Sequence, residues 1–306
     1  MNRTSTPTRT RILTAAALAL TTAGLLFAGP LNPPAGPVTS TYKTLTEVEP
    51  RIAINATNTP GDADSLFKIR QPGSYYLTGN ITGVINKHGI ELDASGVTLD
   101  LNGFELRGIP DTLDGINVSA FDGVNIAVRN GSLRSWGDCG VDYDDNFGHP
   151  PAFSLTDLNA ASNGRDGFAA SGGTRVAHCT SLENGGNGFS TVTTSSFVAC
   201  IATSNGLNGF STNSNCTLTD CIASGNTNRG FSTGLGSTLT NCTASNNATG
   251  FVGQATVYNA CTAHTNTANG FDLAEGCTLI ACNAYRNGGI GIDASTVANV
   301  TGCTAV

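Results

Sequence analysis

From residue 167 to its end the chain repeats one short phrase of apolar and polar positions. A Gly-Phe pair stands at 167-168, 188-189, 209-210, 230-231, 250-251 and 270-271, and Gly291-Ile292 closes the series, a period of 20 or 21 residues. A second column, Cys179, Cys200, Cys221, Cys242, Cys261, Cys282 and Cys303, keeps step at intervals of 21, 21, 21, 19, 21 and 21. Five residues after most of these cysteines comes an asparagine: Asn184, Asn205, Asn226, Asn247, Asn266 and Asn287. Three residues before them lies an apolar column, Val176, Phe197, Leu218, Leu239, Tyr258, Leu279 and Val300, which extends backwards through Leu155, Val128 and Leu101. The column marked by Phe168 extends back likewise, through Val141, Ile116 and Ile90. One frame therefore spans about residues 89–306, with rungs of 25–27 residues to about 167 and 20–21 thereafter.

A unit of that length holds only short strand-like runs and cannot close a core alone. Coiled, it stacks equivalent strands in parallel and points their apolar side chains into a narrow interior. The pattern predicts an all-β, single-stranded parallel β-helix of about ten rungs with three short strands per rung. At ~4.8 Å per rung it forms a rod roughly 45–50 Å long. The glycine of each Gly-Phe pair is expected to supply a left-handed or tight corner, and the asparagines a ladder of stacked amides. Gly73-Ser-Tyr-Tyr-Leu-Thr78, Gly96-Val-Thr-Leu-Asp-Leu-Asn-Gly-Phe104 and the recurring Asn…Gly-Phe units resemble the right-handed β-helix repeat proteins of the pectin-lyase-like superfamily, over about residues 65–306. The resemblance implies the fold. It does not choose an activity, since that superfamily holds polysaccharide lyases, glycoside hydrolases, epimerases and adhesins alike.

The first 28 residues break the pattern. Arg3, Arg9 and Arg11 precede an apolar run over 12–28, which reads as a signal peptide; a Pro-rich spacer over 29–41 follows, then an N-terminal cap or first rung over 42–80. The expected location is therefore outside the cytoplasm: secreted, periplasmic or at the cell surface. Only 12% of residues are charged, and the formal charge of −7 becomes −10 without the leader. Such a surface excludes nucleic acid as a partner.

Ten cysteines in an exported chain first suggest disulfides. The seven periodic ones, however, share a slot that Leu158, Gly131 and Phe104 fill in earlier rungs, and the leucine and phenylalanine make the column read as buried thiols acting as small hydrophobes, with cross-rung bridges as the alternative. Trp136 falls in the slot of the asparagine ladder, either packed over a corner or serving as a sugar platform.

Chemistry concentrates in the first four rungs. After Phe168 there is no lysine and acids are few, whereas the earlier outward slot beside the core column places Glu91, Asn117 and Asp142 in line. The preceding corner carries Lys87 and His88, then Asp114, then Asp138, then Arg165 and Asp166. A long loop over 142–151 adds Tyr143, Asp144, Asp145, Phe147 and His149. Acids, a few cations and aromatic rings on one patch suit a sugar: carboxylates for acid–base work or for Ca²⁺, aromatics to stack on pyranose faces. The catalytic candidates are Glu91, Asp142, Asp144, Asp145, His149 and Arg165. Those for substrate binding are Lys87, His88, Asn117, Asp138, Tyr143, Phe147 and Asp166. Glu91 and Asp142 lie two rungs apart, ~9.6 Å between backbones, near the range of an inverting hydrolase. No cofactor is required, with Ca²⁺ at Asp142, Asp144 and Asp145 as the open alternative. Asp145-Asn-Phe-Gly-His149 is similar to part of the polygalacturonase signature but lacks its order and second glycine.

Three functional classes therefore stand: a module or scaffold that binds extracellular or cell-wall polysaccharide, a lyase or hydrolase of uronate-rich glycans, and a structural stalk or adhesin fragment. In the binding class the columns Ser190/Ser211/Ser232 and Thr191/Thr212/Thr233 would be displayed to a ligand. The last rung is expected to have no cap, so that an end-to-end partner or a further segment would cover it.

Overall fold

The computed structural model describes residues 49–120, 125–143, 152–294 and 298–306. The compact unit from Arg51 to Val306 is a parallel β-solenoid, with no helix among its described residues. The first strand of each rung enters one parallel sheet of eleven described strands, from Ser65–Ile69 through Phe189–Thr193 to Ile292–Asp293. Second and third strands, such as Ser196–Val198 and Ile201–Thr203, build the other ladder of twenty-one. Two early rungs fuse them into nine-residue strands, Ile126–Arg134 and Phe153–Ala161. About eleven rungs result, one more than the repeat suggests, because Ser65–Ile69 already pairs in register with His88–Leu92.

The columns read from the sequence lie in register. Val141 pairs with Ile116 and Phe168, Phe168 with Phe189, and Leu155 with Val128 and Val176. One register differs: Val128 pairs with Leu99, not Leu101. A shift of two residues preserves the inward face of a strand, and both leucines are fully buried, so alternation alone cannot separate them.

The interior is stacked side chain on side chain. Six phenylalanines from Phe168 to Phe271 form a continuous pile, neighbouring rings 4.7–5.0 Å apart and within 10° of parallel. Phe197 and Tyr258, from the second-strand column, meet the pile edge-on. Each buried aromatic of this kind contributes roughly 1.5–3 kcal/mol relative to exposure. All ten cysteines are free, and those from Cys179 to Cys282 in the periodic column are fully buried. Burial pushes the Cys179 thiol up to about 12, so it remains protonated at neutral pH.

Between strands the backbone turns through left-handed residues. The positions just before the asparagine column (Glu183, Ser204, Thr265, Arg286) and just before the cysteine column (His178, Ala199, Asp220, Ala281) all have φ near +50 to +57°. The Gly-Phe glycines do not, which corrects their expected role as left-handed corners. They are required by close approach: a Cβ at Gly209 would lie 2.7 Å from the Gly230 carbonyl oxygen and 2.8 Å from Asn226 Nδ2. The nearby asparagine ladder leaves no room for a side chain.

That ladder is fully satisfied. From Asn163 to Asn266 each Nδ2 donates to the Oδ1 of the next asparagine, at 2.9–3.2 Å, ending on Asn287. The same Oδ1 accepts the backbone N–H of the preceding asparagine, and the second Nδ2 hydrogen reaches a carbonyl such as Ala202 O. Trp136 starts the column by donating its backbone N–H to Asn163 Oδ1 and its indole N–H to Leu106 O. At 1% exposure it is a corner-packing residue and offers no platform.

Candidate functional site

Strand alternation turns one row of the first-strand sheet outward. In register it reads Lys68, Glu91, Asn117, Asp142, Ala169, Ser190, Ser211, Ser232, Val252, Asp272 and Asp293. The predicted line of Glu91, Asn117 and Asp142 is thus present on three consecutive rungs. From Asp142 to Ser232 the row floors a groove of about 470 Å³, whose acidic end is built by Asp142, Arg165 and Asp166. Val192 and Asn213 form its exposed shoulder.

Thr191, Thr212 and Thr233 are not displayed as expected: they are 6–7% exposed and face inward. A residue next to an outward serine on a strand must point the other way. Thr191 Oγ1 accordingly bonds to Ser195 Oγ at 2.7 Å.

The predicted acids fall into two environments. Glu91 is only 5% exposed and is fully engaged: Lys68 Nζ donates to it at 2.7 Å, and the hydroxyls of Ser65 and Ser119 donate at 2.5 and 2.6 Å. Burial alone would raise its pKa, but these three donors outweigh burial and hold the carboxyl below its usual value. Lys68 also pairs with Asp62 and Asp93. Lys87 donates to the Asp62 carbonyl, and His88 Nδ1 lies 3.0 Å from Asp114 Oδ2.

At the groove end, Arg165 pairs with Asp138 at 3.1 Å. Asp166 is pushed upward by burial against the opposing pull of Asn187 and Arg165. Its Oδ1 accepts the backbone N–H of Asn187 at 2.6 Å. From there a second, outer ladder runs along the groove edge: Asn208 donates to Asn187 Oδ1, and the Arg229 backbone N–H to Asn208 Oδ1. The sequence carries its signal in the Asn-Gly-Phe triplets at 187 and 208, which precede the Gly-Phe pair. The inner asparagine column donates toward the C-terminus and this outer one toward the N-terminus.

Tyr143 sits at the groove end but is 4% exposed, its ring edge-on to Phe153 at 5.3 Å. Asp144, Asp145, Phe147 and His149 lie outside the described residues, as do the leader and spacer. Of the three carboxylates expected to offer a Ca²⁺ site, only Asp142 is described. Among the described residues, Asp114/Asp138/Cys139 and Asp62/Asp64/Glu91 bring three potential ligand atoms within 4.8 Å of one another. In the second set Lys68 already pairs with Asp62 and Glu91, and in the first Asp114 is held by His88 and by the Cys139 backbone N–H.

This architecture has counterparts among solved structures. The A-module of mannuronan C-5 epimerase AlgE4 from Azotobacter vinelandii matches with a TM-score of 0.55 and 15% identity, over 84% of this chain and 88% of that one. The A-module of epimerase AlgE6 from the same organism gives 0.52 and 16% over the same shares. Pectate lyase Pel9A gives 0.49 and 15% over 76% and 70%. No family model and no curated protein sequence matches the chain. The class defined is a fold, the right-handed parallel β-helix. At these identities the likeness fixes the fold and leaves the activity open.

Proposed function

We propose that this chain is an exported β-helix protein that binds polysaccharide by laying a glycan along the first-strand groove. The observation that carries the reading is the groove itself. It is a hydroxyl-floored channel crossing five rungs, with two carboxylates and a guanidinium gathered at one end. Polar groups converging in a concave surface on a rigid scaffold are the ordinary form of a ligand site. Support comes also from the fold, which the epimerase modules named for mannuronan share, and from the leader, which suits export.

The test is binding of the purified chain to an array of plant, algal and bacterial glycans, beside Ser211→Trp, which fills the middle of the channel from an outward position. Saturable binding that falls at least tenfold in Ser211→Trp, with an unchanged circular-dichroism spectrum, is expected. Binding indifferent to the substitution, or none at all, rejects the groove.

A second reading, cleavage of the bound chain, is favoured by one observation. Asp142 and Asp166 share the groove end, and burial raises the pKa of Asp166, as suits a proton donor. Glu91, held by Lys68 and two serines, lies outside the groove lining and takes no part in this reading. Release of new reducing or unsaturated ends, abolished by Asp142→Asn and by Asp166→Asn, is the outcome that would establish it.

A further inference from the structure

We infer that the groove is built for a neutral, hydroxyl-rich glycan of about four sugars, and against polyuronates; the inference rests on the groove reading above. The fold's counterparts invite the opposite expectation, and the charges decide against it. A uronate chain carries one negative charge per sugar and needs cations along its path. The residues lining the groove supply one guanidinium, Arg165, which is already paired with Asp138 at 3.1 Å, together with the carboxylates of Asp142 and Asp166. Arg229, at the edge, donates Nη1 to Ser232 Oγ at 3.1 Å. No lysine follows Lys87 anywhere in the chain, and residues 144–151 contain neither lysine nor arginine. An anionic sugar at the acidic end would therefore lose solvation beside fixed negative charge, and one over the serine rungs would find no cation among the lining residues to compensate it.

A neutral sugar meets the reverse situation. Ser190, Ser211 and Ser232 repeat a hydroxyl once per rung, and each can donate and accept, as sugar hydroxyls do. Asp142 and Asp166 supply acceptors for vicinal hydroxyl pairs, which a charged acceptor binds more strongly than a neutral one. The floor has a defined length. It runs from Asp142 over four rung steps to Ser232, ~19 Å at the inter-strand spacing, and stops at Val252. One rung spans about the length of one hexose in an extended chain, so the hydroxyls recur in step with the ligand.

Calorimetric titration of the whole chain with cellotetraose and mannotetraose, against tetramannuronate and tetragalacturonate, each with Ca²⁺ and with chelator, tests this. A neutral tetramer should bind at least tenfold more tightly than either uronate, with no dependence on Ca²⁺. Ser190→Lys with Ser211→Lys should reverse the preference. A uronate that binds the unaltered chain more tightly, either directly or only through Ca²⁺, overturns the inference while leaving the groove reading intact. Absence of binding in both classes overturns both. Retained neutral binding in Ser211→Trp places the ligand elsewhere and overturns the inference as well.

Discussion

His88 is pulled in two directions. Burial disfavours its charged ring, but the hydrogen-bonded Asp114 carboxylate, aided by the charges of Glu91 and Asp64, outweighs burial and raises its pKa above 6.5. The Asp114 backbone N–H also points at Nδ1, from 3.2 Å, so protonation exchanges an accepted bond for a donated one. A raised pKa contributes stability that is complete below 6.5 and is lost as pH climbs through the elevated folded value. Glu91 works in the other sense. Its lowered carboxyl contributes above its ordinary 4.5 and is lost as pH falls through the folded value. These two groups act together between about 4.5 and 6.5. Thermal midpoints measured from acid to mildly alkaline pH should therefore decline on both sides, with the alkaline decline flattened in His88→Asn; an unchanged slope in that variant would refute the pairing. The sequence placed both residues on the charged corner and row, since that depends only on phase. It could not reveal that Lys68, Ser65 and Ser119 close over Glu91, because those partners come from neighbouring rungs whose lengths differ.

At the scale of the strand and its corner, the frame was legible wherever a column repeats without insertion. Phe, Cys and Asn recur because each stands directly over its predecessor. The register blurred where rung length changes, as at Leu99 and Leu101, since alternation is indifferent to a shift of two. The role of the Gly-Phe glycine was hidden for another reason. Sequence shows that a side chain is absent but not whether conformation or crowding forbids it, and here it is crowding from the ladder asparagine and the next carbonyl. Gly209→Ala should accordingly destabilise the fold by about 2–3 kcal/mol in urea unfolding, as overpacking of a rigid interior does. Gly79→Ala, where an added Cβ meets nothing within 4 Å, should shift stability by less than about 0.5 kcal/mol. Equal effects at the two sites would contradict the crowding argument.

Over the whole molecule, protection is graded along the axis. The second-strand column is fully buried at Leu279 but 45% exposed at Val300, one rung later, and Cys303 is the only one of the ten cysteines not fully enclosed. In a solenoid each rung is held only by its neighbours, so the least covered rung opens first. A chromogenic disulfide reagent should find one fast thiol in the native protein, removed by Cys303→Ser, and nine more only in denaturant. A denatured total below ten would reveal cross-rung disulfides and displace the free-thiol column.

The inner amide column carries a further consequence. Each amide gives to the following unit what it takes from the one before, so every junction is chemically the same and none is privileged. Excising or copying one whole unit rejoins like with like. Such a chain can change its size by gene duplication without redesigning its centre, and the span of any ligand it holds would lengthen or shorten by the same step.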